Sequence, residues 1–280
     1  MARLDRAIRT STMALMDGPV EPGHDGEETN MDDQTPIGAV CTPDGCDDTT
    51  SPESLNPQAA AGTRIDIVSD AICPWCYIGK RQMERALLTL GGEGLSFSIH
   101  WNPFQLNPDM AKEGVDRAQY RAWKFGSPEK AAAIDARIVD AAAQVGLEFH
   151  PERIKRTPNT IDAHRLIWFA GQNGVQDAAM EAVFKAYFID ARDIGQHSVL
   201  ADCAAAAGMD RDRVTAFLAG DLADKEMLAA DQAAREAGVS GVPSFFLDGY
   251  GLFSGAQPAD AMANAFRQGN KVLRERTAQS

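Results

Sequence analysis

The stretch that decides the fold is Arg64-Ile65-Asp66-Ile67-Val68, then Cys73-Pro74-Trp75-Cys76, then the run from Ile78 to Leu90. The first run is short and rich in β-branched residues, which predicts a strand. The last carries apolar residues at helical spacing. Between them lie two cysteines three positions apart, close enough to form and reopen a disulfide. The first cysteine falls where the helix begins, and the positive end of a helix stabilises an anion such as a thiolate. A thiolate is the nucleophile of disulfide exchange.

Working outward, Leu95 to Trp101 alternates apolar and polar residues and predicts a second strand. From about Met110 to Gly238 the reading is helical throughout, with no strand signal. Helices are expected from Ser127 to Val145, after the Asn159-Thr160 cap to about Gly174, from Gln176 to Asp190, from Val199 to Ala207 and from Arg211 to Leu218. A final Ala-rich helix closes the block at Gly238. Strands return at Ser244 to Leu247 and Gly251 to Ser254 around the turn pair Asp248-Gly249, and Pro258 opens a last helix to about Gln268. The order is strand, helix, strand, helical block, strand, strand, helix. It predicts an α/β protein: a thioredoxin-like fold with an all-α helical domain inserted after the second strand. The expected domains are 63–109 with 239–280 for the thioredoxin-like part and 110–238 for the insertion.

The chain carries a net charge of −13. Residues 1–62 hold 12 acidic residues against three arginines, so most of the acidity lies in that Gly-, Pro- and Ser-rich segment, which reads as disordered. The sign argues against nucleic acid or an acidic membrane surface as partner. No apolar run approaches the roughly 18 residues of a membrane span. Arg3, Arg6 and Arg9 are followed by too short and polar a stretch for a secretory signal, so a cytoplasmic location is expected.

Gly241-Val242-Pro243 stands just before a predicted strand. A proline there gives up a ladder hydrogen bond. Facing a Cys-x-x-Cys, it is expected to follow a cis peptide, leaving the N–H and C=O of Val242 to pair with an extended substrate. Pro74 and Trp75, between the cysteines, are expected at the substrate surface.

The chain resembles the DsbA family of thiol-disulfide oxidoreductases, in its FrnE-like branch related to 2-hydroxychromene-2-carboxylate isomerase and kappa-class glutathione transferases. The stretches that carry the resemblance are Ser69 to Arg81, Pro103 to Pro108, Thr157-Pro158-Asn159-Thr160 with Ala163-His164-Arg165-Leu166, and Gly238 to Pro243. It implies Cys73 as the attacking thiol, Cys76 as the resolving thiol and Pro243 as the cis-proline. It implies no bound cofactor or metal, protein or low-molecular-weight thiols and disulfides as partners, and glutathione as a co-substrate. The isomerase relatives carry serine at the position of Cys73 and an acidic-basic pair near the last strand. Here that region is Phe253-Ser254-Gly255-Ala256-Gln257, which lacks the pair. A non-catalytic peptide-binding or chaperone module is the remaining alternative.

Other residues have two readings. Asp70 flanks the position where relatives bury a proton-relaying acid, so it is a candidate for proton transfer or a polar helix entry. Cys41 and Cys46 bracket Thr-Pro-Asp-Gly, a tight turn. They are a candidate second redox pair on a tether, or an inert local pair. A zinc site of Cys73 and Cys76 with Cys41 and Cys46 fits poorly, since the spacing between the pairs is longer than in a zinc ribbon and Pro74-Trp75 suits the knuckle badly. Cys203 and His164 are expected as packed helix residues, and Trp101, Trp123 and Trp168 as core or domain-interface residues. Lys80 and Arg81 are expected in solvent.

Overall fold

The computed structural model describes residues 62–278. Residues 1–61, with the expected disorder of the acidic segment and the Cys41/Cys46 pair, lie outside the described residues.

Strand β1 (Thr63–Ser69) is central because Ile65, Ile67 and Val68 are fully buried. Helix α1 (Pro74–Gly92) follows, with Pro74 in its first turn, where the missing N–H costs nothing. Strand β2 (Phe97–Pro103) pairs parallel to β1, with Ile67 opposite Trp101. Strands β5 (Ser244–Leu247) and β6 (Tyr250–Ser254) form the closing hairpin, and β5 runs antiparallel to β1. The sheet order is β2-β1-β5-β6. The hairpin turn holds Asp248 and Gly249 at φ 50° and 83°, the two positive values that a two-residue turn of this twist needs. The last helix, here α9 (Ala259–Thr277), buries Met262, Ala263 and Phe266 and packs against α1.

Between β2 and β5 come α2 (Arg117–Phe125), α3 (Pro128–Gln144), α4 (Ile161–Gln172), α5 (Gln176–Phe188), α6 (His197–Ala206), α7 (Arg211–Ala219) and α8 (Asp224–Glu236). Ser127 caps α3 by accepting from the Lys130 N–H at 3.2 Å. This segment also contains a two-residue ladder, β3 (Val115–Asp116) with β4 (Arg156–Thr157), which corrects the reading of no strand there. The helical residues and the sheet share one core. Tyr77 of α1 stacks on Phe184 at 5.0 Å and on Phe149 at 5.7 Å, and Phe149 stacks on Phe188 at 4.7 Å.

Two further expectations are corrected. Lys80 is 2% exposed, not solvated. Its ammonium meets Glu84 on its own helix and Asp177 and Glu181 of α5, each of these last two at 3.2 Å. Burial opposes that charge, but the three carboxylates outweigh it and hold the pKa of Lys80 above its ordinary value. Trp123 is 79% exposed, not core. It lies on α2, which buries none of its residues, and its ring faces Tyr120 at 6.1 Å. Trp101 and Cys203 are buried as expected.

Two buried polar connections hold the helical block in place. Arg165 of α4 is 1% exposed. Its guanidinium donates to Asp162 at 2.6 Å and to the carbonyls of Phe217, Gly220 and Leu222 at 3.3, 2.7 and 2.9 Å. It thereby supplies donors to carbonyls at and just past the C-terminal end of α7. Asp162 also meets His197 at 2.8 Å. At the sheet edge, Gln176 accepts from the Trp101 N–H at 3.0 Å and donates to the Trp101 carbonyl at 3.1 Å.

Candidate active site

Cys73 is the residue just before α1, and its backbone is extended there. A tight turn sets it in place: the Cys73 N–H donates to the Asp70 carbonyl, and the Cys76 N–H to the Cys73 carbonyl, both at 3.0 Å. Pro74 then starts the helix. Cys73 is 4% exposed and Cys76, one turn into α1, is wholly buried; both cysteines are free. Trp75, between them, is 40% exposed. The arrangement is thus asymmetric: one sulfur at the rim, one behind it.

The electrostatics follow the burial. Desolvation holds the pKa of the Cys76 thiol well above its ordinary value, and hydrogen bonding and charge from Cys73 add to the effect. Cys76 therefore keeps its proton when it has no reaction partner.

The second half of the site arrives about 170 residues later in sequence. The Val242–Pro243 peptide bond is cis. The Val242 carbonyl accepts from the Cys73 thiol at 3.5 Å. The loop is pinned from its far side: the Ser244 hydroxyl donates to the Gly241 carbonyl at 2.8 Å, and the Gly255 N–H donates to the Pro243 carbonyl at 2.7 Å. Gly79 allows the approach to α1. A Cβ at that position would stand 3.1 Å from Pro243 Cγ, closer than side chains ordinarily pack.

Asp70, three residues before Cys73, is fully buried. Its carboxylate accepts from the Leu106 N–H at 2.7 Å and from the Ile72 N–H at 3.4 Å. His164 Nε2 lies 3.6 Å from Asp70 and 3.2 Å from the Phe104 carbonyl. Asp70 thus ties the active-site turn to residues 104–106 and to α4. His164 is packed and hydrogen-bonded as expected, but its contact with Asp70 was not foreseen. The only sequence signal for it is that both residues fall in stretches shared with the family. Of the expected Asn159-Thr160 cap, Thr160 takes the N-cap position without a side-chain cap bond, and the Asn159 side-chain oxygen accepts from the Ile161 N–H at 2.9 Å.

A cavity of about 340 Å³ opens beside Cys73, Pro74 and Trp75 and reaches Val242. Its floor is apolar, with Ile134, Ile138, Phe149 and Phe188, and one wall is basic. A larger cavity of about 540 Å³ lies across β2 against α4 and α8 and does not include either active-site cysteine. Sequence reasoning did not find the basic wall, because α2 escaped notice between Pro108 and Ser127. Among the described residues, no group of three or more His, Cys, Asp or Glu is placed to hold a metal ion, and no helix is long and apolar enough to cross a membrane.

Comparison with known proteins agrees with this architecture. A crystal structure of a probable DsbA oxidoreductase from Streptomyces coelicolor is 33% identical and matches 74% of this chain and 89% of that one, with a TM-score of 0.67. The uncharacterised protein YwbO of Bacillus subtilis is 26% identical over 208 residues, which is 74% of this chain and 97% of that one. The cytosolic disulfide reductase DsbM of Pseudomonas aeruginosa, in a structure with GSH, shares the fold at 16% identity and a TM-score of 0.52, over 73% of this chain and 98% of that one. The family model of the DSBA-like thioredoxin domain matches residues 64–267, and the chain belongs to that family.

Proposed function

We propose that the protein is a thiol-disulfide oxidoreductase of the FrnE-like branch that works through Cys73 and Cys76, with protein or low-molecular-weight thiols and disulfides as substrates. The observation that carries this reading is the position of the Cys73 sulfur. It stands at the N-terminal end of α1, 3.5 Å from the Val242 carbonyl, with the Cys76 thiol buried behind it.

In the reducing direction, the Cys73 thiolate attacks a substrate disulfide. A Cys73–substrate disulfide forms and the other substrate sulfur leaves as a thiolate. Cys76 then loses its proton and attacks the Cys73 sulfur. The Cys73–Cys76 disulfide closes, the second substrate thiolate departs, and two electrons have passed to the substrate. The oxidising direction is the same sequence reversed. Pro74 and Trp75 shape the rim, and Val242 with Pro243 offers backbone to an extended substrate. The cysteine at position 73 and the absence of an acidic-basic pair in Phe253–Gln257 weigh against the isomerase chemistry of the related branch.

Further parts of the proposal are a cytoplasmic setting and glutathione, present in the Pseudomonas structure, as a small co-substrate. Asp70 is proposed to receive or return the Cys76 proton, on the strength of its complete burial at the start of the turn. Cys41 and Cys46 are proposed as a second redox pair that exchanges with the first.

The test is trapping. Cys76→Ala protein is expected to hold thiol partners as mixed disulfides that reductant releases; a protein that captures none rules out the enzyme reading. Asp70→Asn is expected to slow release of the mixed disulfide on the order of tenfold, and an unchanged release rate and pH profile removes Asp70 from the chemistry. For the tail pair, Cys41→Ser with Cys46→Ser is expected to alter turnover or the potential of Cys73–Cys76; if both stay as in the wild type, the pair is inert.

A further inference from the structure

The cavity beside Cys73 has an unusual charge balance. Among its lining residues are three cations, Arg117, Arg121 and Lys124, and one carboxylate, Asp135. Both guanidiniums of α2 converge on that carboxylate: Arg117 reaches it at 3.2 Å and Arg121 at 2.5 Å. Lys124 is occupied differently, donating to the Tyr120 hydroxyl at 2.7 Å and to Asn107 at 3.3 Å.

Arg121 is the residue left short. Its Nε–H is buried and finds no acceptor among the described residues. Its guanidinium lies over the Phe125 ring at 4.7 Å, which orients it without supplying a formal anion. Burial and the nearby Arg117 both push its pKa below the ordinary value. A buried donor without an acceptor is costly. An incoming anion relieves that cost, because a carboxylate matches the guanidinium fork.

The rest of the cavity says what must carry that anion. Cys73, the apolar side chains and the guanidiniums line one cavity, so a ligand that uses all three carries a sulfur, an apolar body and a negative group. We propose that this cavity is the specificity pocket of the exchange reaction, and that it selects thiols and disulfides bearing a carboxylate, held by Arg121 with Arg117. The inference rests on the oxidoreductase reading above for its chemistry, but not for binding. The step balances as in that reading: the Cys73 thiolate displaces one carboxylate-bearing thiolate from the disulfide, Cys76 displaces the second, and both cysteines end oxidised.

The experiment uses reduced full-length protein and three small disulfides of different charge: 3,3′-dithiodipropionate, 2-hydroxyethyl disulfide and cystamine. The rate of dithiol oxidation, followed by intrinsic fluorescence, is divided for each by its rate with free dithiothreitol to remove intrinsic reactivity. The expected order is anion, neutral, cation, with the anion ahead of the neutral compound about tenfold, the size of one charge-assisted hydrogen bond. Arg121→Gln is expected to erase that advantage while leaving the hydroxyethyl disulfide rate in place. Asp135→Asn is expected to enlarge it, because two guanidiniums then face the ligand alone; a purely structural role for these residues gives no such gain. Equal normalised rates for the three compounds in the wild type, or an anion advantage that survives Arg121→Gln, overturns the proposal.

A second measurement separates this failure from failure of the enzyme reading. Cys73→Ala protein cannot exchange, yet is expected to bind 3,3′-dithiodipropionate and not 2-hydroxyethyl disulfide in calorimetry, with binding lost in the Arg121→Gln background. Binding without exchange in the wild type sinks the oxidoreductase reading and keeps the pocket. Exchange without charge preference does the reverse.

Discussion

Cys73→Ser protein is expected to reduce a disulfide substrate on the order of a thousandfold or more slowly than the wild type, since a serine hydroxyl at neutral pH offers almost no anion to attack sulfur. The substitution removes one atom's identity and little volume, so the fold should be unaffected. The partner cysteine cannot take over, because it is wholly buried and its thiol is held well above its ordinary pKa. The same burial predicts a pH dependence. Closing the Cys73–Cys76 disulfide requires Cys76 to lose its proton, and below its raised pKa the thiolate fraction grows roughly tenfold per pH unit. Release of the mixed disulfide is therefore expected to accelerate from pH 7 through pH 9, without a plateau at the ordinary cysteine value. Stopped-flow measurement of capture and release separates the two steps. Substantial exchange by Cys73→Ser protein, or a release rate flat across that range, contradicts the assigned roles.

The largest effect on stability is expected at Arg165. Arg165→Met keeps much of the side-chain volume but strips the donors from Asp162 and from the carbonyls of Phe217, Gly220 and Leu222. Removing the guanidinium leaves Asp162 with His197 alone and takes a donor from three carbonyls. The cost is about 3–5 kcal/mol. In a domain of this size that corresponds to a fall in Tm of roughly 10 °C. Urea denaturation read by far-UV circular dichroism measures it. A loss below about 1 kcal/mol, the worth of an exposed pair, shows that the guanidinium is not what holds the end of α7.

The strands around the Cys-x-x-Cys motif and the closing hairpin were legible because each signal is local. The motif Cys73 to Cys76 and the turn Asp248-Gly249 announce themselves within four residues, and the structure places Ser244–Leu247 as the sequence predicts. The features that were misread depend on residues far away in sequence. Lys80 reads as a solvated charge on a helix. Asp177 and Glu181 bury it, and they lie about a hundred positions on. Trp123 reads as core because it is large and apolar, but α2 has no buried face to receive it. The ladder of Val115 with Thr157 is too short to show alternation. The last helix runs nine residues past Gln268 to Thr277, a stretch of mostly exposed residues without apolar periodicity to mark it. The basic wall of the cavity was hidden for the same reason as α2 itself. Its charges gain meaning only when Asp135 and Cys73 are brought to the same hollow.

The amide of Gln176 has a consequence for how molecules of this protein meet one another. Strand β2 is an outer strand of the sheet, and outer strands offer rows of open N–H and C=O groups to any passing chain. At Trp101 both groups are already taken, by a single side chain that donates once and accepts once. A strand from a second molecule would have to evict that amide and then match its two bonds. Gln176 acts there as a one-residue stopper against fibrous self-association, fixed in place because it belongs to α5 and not to the sheet it guards.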